Sequence, residues 1–490
     1  MISQPAELVF VPSPGVGHLV STVEMAKLLV ARDSRLFITV LIIKYPFDFS
    51  SVNSYLESLL SSSSPSELER IKLIDLPETQ TDGADFNVLF LISSFFENKK
   101  PLVRDAVSNL AESRSGRPGS PRLAGFVVDM FTTNMMDVAD EFGVPSYVFF
   151  TSGAGLLTLT SHMLTLCDEH GIDTTDFKDK PDSEIFVPGF SNPVPAKVLP
   201  NVLLDKAVAP FYHNHNRKIR DQSKGILVNT FMELEPNIIQ SFAHSKYPPV
   251  YPVGPVLNLN NQGGTDEKTD DIVTWLDKQP PSSVVFLCFG SKGCFCEEQV
   301  KEIAVALERS RVRFLWSLRR PPQKGKFDSP ADYTDPNEVL PEGFLNRTAE
   351  IGKVIGWSPQ TTILAHPAVG GFLSHCGWNS TLESLWFGVP TATWSLFAEQ
   401  QLNAFEMVVE LGLAVEIKID YRKDLGNDLD AVILRAEEIE RGIRSLMLHD
   451  IEIRKRVKEM SEKSRKSLLN GGSSYSSLGR FIDDVIENMP

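Results

Sequence analysis

Short apolar runs, nearly unbroken by polar residues, recur along this chain and alternate with stretches of helical periodicity. In the first half they fall at 8–11, 36–43, 71–76, 123–128 and 146–150, with a helix expected over about 21–31. The alternation resumes at 225–229, 283–289, 313–318 and 352–356, with a helix near 297–310. A strand that is apolar on both faces must be covered on both, and helices between such strands make the sheet parallel. At 490 residues the chain exceeds one ordinary core, so two domains of roughly 200–250 residues are expected. The fold class is therefore α/β, as two doubly wound units. A proline-rich segment, Tyr247-Pro-Pro-Val-Tyr-Pro-Val-Gly-Pro255, followed by polar residues 258–271, marks a linker. The expected division is 1–248, a linker at 249–271, a second unit at 272–465 and a terminal helix at 466–490. Residues 61–65, 113–121 and 323–336 read as exposed loops. Open parallel sheets bind ligands beyond the carboxyl ends of their strands, so two facing sheets place the site in the cleft between them.

Composition excludes several classes of partner. A net charge of −15 argues against nucleic acid or an anionic membrane surface. No run of apolar residues is long enough to span a bilayer, and the Met-Ile-Ser-Gln-Pro start lacks a signal-peptide pattern. The five cysteines (167, 288, 294, 296 and 376) are odd in number, and Cys294-Phe-Cys296 has no second metal-type pair. Reduced thiols in a cytoplasmic protein are the expectation, and no metal site is expected.

The densest segment is 357–400, WSPQTTILAHPAVGGFLSHCGWNSTLESLWFGVPTATWSLFAEQ. Residues 369–374 form a strand-type run, Cys376-Gly377 a tight turn, and Ser380-Thr-Leu-Glu383 a helix start with capping-box spacing. Unpaired amides at such a start, with the positive end of the helix dipole, attract phosphate. His375 adds a donor that can become cationic. Two further turns follow apolar strands. Pro12-Ser-Pro-Gly-Val-Gly-His18 turns tightly at Gly15 and Gly17 and presents His18 to the cleft; Val20 breaks the GxGxxG fingerprint, which disfavours a nicotinamide-dependent oxidoreductase. Phe289-Gly-Ser-Lys-Gly293 can present backbone amides to phosphate. Asp129 ends the run Gly125-Phe-Val-Val-Asp, where a carboxylate either edges a site or caps the next helix.

The 357–400 segment resembles the signature box of plant family 1 UDP-sugar-dependent glycosyltransferases along its whole length: W-S-P-Q, L-x-H, G-G-F-x-S-H-C-G-W-N-S, the following Glu, G-V-P and the closing E-Q. The resemblance implies the GT-B fold, two facing Rossmann-like domains with an interdomain cleft, and a terminal helix that returns to the first domain. It implies inverting transfer of glucose from UDP-glucose to a hydroxyl of a flavonoid, other phenolic or triterpenoid, with another UDP-sugar as the alternative donor. UDP-glucose is a co-substrate, and no cofactor or metal is implied. His18 is the implied general base, with Asp129 fixing its tautomer. Trp357 would stack on uracil, unless it is a core residue, and Gln360 would bond uracil or ribose. His375, Asn379 and Ser380 would serve the two phosphates, with Ser291 of the 289–293 loop nearby. Glu383 would accept from the ribose hydroxyls, a role in competition with the capping box. Trp378, Glu399 and Gln400 would hold the sugar hydroxyls. Gly15, Phe131, Phe150 and Phe397 are the candidate acceptor-pocket residues. A monomer is expected.

One position departs from the family. Ser395 stands where the family usually carries Pro, and losing the fixed φ of Pro loosens the 395–400 loop in principle. His366, before Pro367, reads as structural. His213 and His215 read as a solvated helix face rather than a metal pair. The basic run 454–465 reads as a solvated amphipathic helix.

Overall fold

The computed structural model of the chain describes residues 4–45, 49–62, 68–78, 94–114, 119–259, 267–323, 329–422, 432–449 and 451–490. The loops expected at 61–65, 113–121 and 323–336, and the polar stretch 258–271, lie partly outside these residues.

Thirteen parallel strands among the described residues form two sheets. The first holds β1 (Ala6–Val11), β2 (Leu36–Ile42), β3 (Ile71–Asp75), β4 (Arg122–Asp129), β5 (Ser146–Phe150), β6 (Ser223–Val228) and β7 (Val250–Pro252), in the order β3-β2-β1-β4-β5-β6-β7. The second holds β8 (Val284–Cys288), β9 (Arg313–Ser317), β10 (Gly352–Ile355), β11 (Val369–Ser374), β12 (Thr391–Trp394) and β13 (Ala414–Lys418), in the order β10-β9-β8-β11-β12-β13. Each sheet thus runs outward from its first strand in both directions, the arrangement that opens a ligand crevice between the first and fourth strands. β1, β5 and β8 are buried at every residue, as strands covered on both faces must be. Apolar clusters lie on each face of each sheet, around Val9 and Phe126, Leu8 and Phe149, Leu287 and Trp316, and Phe286 and Phe372.

Three boundaries differ from the sequence reading. The first helix is Val16–Arg32 rather than 21–31, because Gly15, at φ 114°, completes the turn and lets the helix begin at once. His18 therefore sits on its first turn. The segment expected to open the linker instead contributes β7 to the first sheet, paired parallel to β6 from Ile226↔Val250 to Val228↔Pro252. The helix of the signature segment is Trp378–Phe387, two residues earlier than expected.

The last helix, Ser473–Glu487, lies against the first sheet, with the Phe481 ring 5.2 Å from that of Tyr147 and 5.6 Å from that of Tyr251. The two sheets meet through an apolar cluster in which Phe231 and Leu234 of the first half pack with Trp378, Leu382, Leu385 and Met407 of the second. The Trp378 indole N–H donates to the Asn229 carbonyl at 2.7 Å across this contact.

Candidate active site

Every candidate turn stands at the carboxyl end of a strand. Gly15 to His18 follow β1, Asp129 ends β4, Thr151 follows β5, 289–293 follows β8, His375 follows β11 and 395–400 follows β12. Within the cleft a cavity is lined by Gly17, His18, Met130, Phe131, Thr151, Ser152, Leu156, Trp378, Asn379 and Glu399, so both halves contribute.

On the first sheet, His18 Nδ1 lies 2.8 Å from Asp129 Oδ2. A carboxylate can only accept, so Nδ1 carries the proton and Nε2 is the basic nitrogen. The His18 side chain is 29% exposed and that of Asp129 1%, which leaves the imidazole open to the cleft and the carboxylate behind it. Asp129 is fixed in turn: its Oδ1 accepts from the Phe131 N–H at 3.0 Å, and its N–H donates to Thr132 Oγ1 at 2.9 Å. The Thr151 hydroxyl lies 3.0 Å from His18 Nδ1. Burial lowers the His18 pKa, but the charge and hydrogen bond of Asp129, then the charge of Glu399, more than offset it, so the net shift is upward. The capping alternative for Asp129 falls, since its carboxylate is spent on His18 and Phe131.

On the second sheet, the helix Trp378–Phe387 has Gly377 as its N-cap and no side-chain cap. Its first-turn amides are therefore left for an anion. The capping box expected between Ser380 and Glu383 does not form, because both lie inside the helix. Gln360 Nε2 instead donates to Ser380 Oγ at 2.8 Å and to Glu383 Oε2 at 2.7 Å, drawing the three side chains together. Burial pushes the Glu383 carboxyl up to about 7 against the opposing bond from Gln360. Asn379 reaches across the cleft to Ser21 Oγ, 3.3 Å from its Nδ2. His375 is buried, and burial pushes its pKa down to about 4, so the protein by itself holds a neutral imidazole rather than the cation the sequence allowed. Its Nδ1 has no hydrogen-bond partner among the described residues. The imidazole fits only because Gly290, at φ 74°, has no Cβ: one placed there would stand 2.5 Å from His375 Nε2.

Trp357 is 61% exposed, which removes the core-residue alternative. Its backbone N–H donates to Asp332 Oδ1 at 2.9 Å, and the Arg319 guanidinium lies 5.1 Å from its ring centroid. Ser291 is exposed in the turn after β8. Glu399 precedes the helix Gln400–Phe405, and the Gln400 side-chain carbonyl accepts from the Leu396 and Phe397 N–H groups at 3.0 and 3.1 Å.

Several expectations are corrected. Trp378 borders the cavity, but its one side-chain donor is spent on Asn229, so its indole fastens the two halves rather than offering a bond to a sugar. Phe150 is buried, because the side of β5 it occupies faces the core. Phe397 packs against the core of the second half and, like Gly15, does not line the cavity. Of the four acceptor candidates only Phe131 does, its ring 5.6 Å from that of His18. Ser395 does not loosen its loop: its N–H donates to the Lys418 carbonyl at 3.2 Å and its hydroxyl to that of Ile419 at 2.8 Å. His213 and His215 are buried rather than solvated, held by Thr174 and Thr133. Burial lowers both, His215 to about 3. His366 is structural, tied to Asp277 at 3.2 Å. Met130, Thr151, Ser152 and Leu156 are the cavity residues that sequence reasoning missed. Thr151 and Ser152 follow an apolar strand directly, the same signal that singled out Asp129.

Two doubly wound domains that close a cleft over a histidine backed by a buried aspartate on one side and an uncapped helix start on the other define a nucleotide-sugar-dependent transferase. The family described as UDP-glucoronosyl and UDP-glucosyl transferase matches residues 147–450. UDP-glycosyltransferase 71A15 of Malus domestica is 58% identical, over 99% of this chain and 100% of its own length. UDP-glucose flavonoid 3-O-glucosyltransferase 6 of Fragaria ananassa is 55% identical, over 99% of each. Among solved structures, a UGT transferase from Siraitia grosvenorii in complex with UDP superposes with a TM-score of 0.86 at 52% identity, covering 98% of this chain and 100% of that one. UGT71G1 of Medicago truncatula, complexed with UDP-glucose, gives 0.85 at 41% identity over 99% of each chain. The chain belongs to this UDP-glycosyltransferase family, is an enzyme of that class and has the GT-B fold. The nicotinamide reading is set aside. Among the described residues no helix is long and apolar enough to cross a membrane, and no group of three or more His, Cys, Asp or Glu side chains could hold a metal ion.

Proposed function

We propose that this enzyme transfers glucose from UDP-glucose to a hydroxyl of an apolar small molecule (a flavonoid, another phenolic or a triterpenoid), with inversion to the β-glucoside. The observation that carries the reading is the His18–Asp129 pair facing an uncapped helix start across one cavity. His18 Nε2 takes the proton of the acceptor hydroxyl as the oxygen attacks the anomeric carbon from the face opposite UDP. Asp129 holds the tautomer and stabilises the imidazolium that forms. The diphosphate leaving group is met by the amides of Trp378–Ser380 with His375, Asn379 and Ser380, and Ser291 approaches from the 289–293 turn. Helix dipole and neutral donors there do the work that a divalent ion does in other transferases. Trp357 takes the uracil, Gln360 and Glu383 the ribose, and Glu399 with Gln400 the sugar. Phe131 lies beside His18, where a flat apolar acceptor would rest. The acceptor is assigned to 1–248 and the UDP-sugar to 272–465. The five cysteines, all among the described residues, form no disulfide, which supports a reducing compartment, the cytoplasm.

The names of relatives support glucose and phenolic acceptors: one is a flavonoid 3-O-glucosyltransferase, and one neighbour is complexed with UDP-glucose. The test is mass spectrometry of products from UDP-glucose with a panel of flavonoids, other phenols and triterpenoids. Glucosides are expected, and His18→Ala should cut turnover by roughly 10²–10⁴-fold, the usual worth of positioned proton transfer. Wild-type turnover by His18→Ala on a weakly acidic alcohol would refute the base.

A further inference from the structure

The site leaves one buried pair of acids without a role. Glu235, from the segment after β6, is 2% exposed, and Glu406, in the second half, is 1% exposed. Glu235 caps the N-terminus of the helix Ala154–His170, accepting from the Ala154 N–H at 3.0 Å and the Gly155 N–H at 2.5 Å. Glu406 lies against the same turn: a Cβ on Gly155 would stand 2.5 Å from its Oε2, so the carboxyl occupies the space that the glycine leaves. Apart from Glu235, neither carboxyl oxygen of Glu406 has a hydrogen-bond partner among the described residues. Two acids that face each other out of water are tolerable only with a proton between them. The backbone marks the same place, since Glu406 opens a π-helical turn, Glu406–Glu410, that continues the helix Gln400–Phe405.

We propose that Glu235 and Glu406 share one proton across the domain interface and so act as positioning residues for the Glu399–Gln400 loop. The inference rests on the reading that this loop faces the sugar. Glu406 stands seven residues beyond Glu399, about 10 Å along the helix, so a fixed Glu406 fixes where that helix begins. Glu235 supplies the other anchor, since the helix it caps follows Thr151 and Ser152 at the cavity. Burial first, then the charge and hydrogen bond of Glu235, then the charge of Glu410, push the Glu406 carboxyl well above the usual carboxylate range. Burial also raises Glu235, against the bonds from Thr230, Gly155 and Ala154. The charged groups acting on Glu406 are both acids. Glu410 is itself engaged with the Ser191 N–H at 2.5 Å and the Asn192 side-chain amide at 2.9 Å. In alkali the shared proton leaves, two like charges face each other in a dry interface, and the loop is released.

The test is kcat and KM for UDP-glucose from neutral to alkaline pH, beside the Kd of UDP by calorimetry. In the wild type KM should rise in alkali, by up to about tenfold per pH unit, the limit for one proton, while UDP affinity holds. Glu406→Gln supplies an amide N–H to Glu235 and cannot titrate, so its KM should match wild type at neutral pH and stay flat. Glu406→Ala should raise KM by about tenfold at every pH, the worth of one buried hydrogen bond. A Glu406→Gln enzyme that keeps the alkaline rise, or that matches Glu406→Ala at neutral pH, overturns the clasp. Gln400→Ala separates the two layers. Unchanged KM there overturns the sugar-facing reading itself, whereas a raised KM there with Glu406 variants that titrate like wild type overturns the clasp alone.

Discussion

Replacing Asp129 by Asn removes one negative charge and one acceptor from behind His18 while keeping the shape of the side chain. Nδ1 and Oδ2 are 2.8 Å apart, and the carboxylate is 1% exposed. At an effective dielectric of about 20, opposite charges about 4 Å apart attract by roughly 4 kcal/mol, close to 3 pH units. The His18 ring is 29% exposed and so partly screened, which brings the expected shift to roughly 1–2 units. The sign follows from the balance on His18: burial lowers it and Asp129 outweighs burial, so without Asp129 only the charge of Glu399 opposes burial. The wild-type rate should fall as pH drops through a His18 pKa lying above the ordinary imidazole value, because the base must be unprotonated. In Asp129→Asn that acid limb should move to lower pH while the plateau drops by roughly 10²–10⁴-fold, since the amide no longer enforces the tautomer. The assay is kcat/KM against pH with a weakly acidic alcohol, so that ionisation of the acceptor does not mask the enzyme. A limb that stays in place, or a plateau within a few-fold of wild type, would refute the coupling.

Trp357→Ala should weaken UDP binding by about 1–3 kcal/mol through lost stacking. Calorimetry measures it, and thermal stability should barely change because the ring is 61% exposed. Ser395→Ala should lower unfolding stability by about 1–2 kcal/mol, since the buried hydroxyl bonds the Ile419 carbonyl at 2.8 Å. Urea denaturation reads this out, and an unchanged midpoint would return the position to the flexible loop that the missing proline suggested.

Much of what depends on near neighbours was legible in the chain, though the starts of the first helix and of the signature helix were not. Apolar runs separated by helical stretches marked most of the thirteen strands, because a strand covered on both faces leaves few positions for polar residues. Residues that close such runs, Asp129 and His375 among them, could be placed at a sheet edge by counting alone. The family signature then supplied roles that no periodicity contains. Side-chain partners chosen across the fold were not legible. Gln360, rather than a helix cap, engages Glu383, and Asn229 takes the indole N–H of Trp378. Ser395 finds carbonyls at the end of β13 that replace the rigidity of proline. The two histidines at 213 and 215, polar by composition, are buried because Thr174 and Thr133, each opening a short 3-10 helix, meet their ring nitrogens there. Glu235 and Glu406 stand 171 positions apart, and only the closing of one domain on the other brings two acids to a single proton. Local sequence determines which way a backbone turns and which residues avoid water; which polar group meets which is decided by the packing of distant segments, because a hydrogen bond depends on ångström-scale placement that no local pattern encodes.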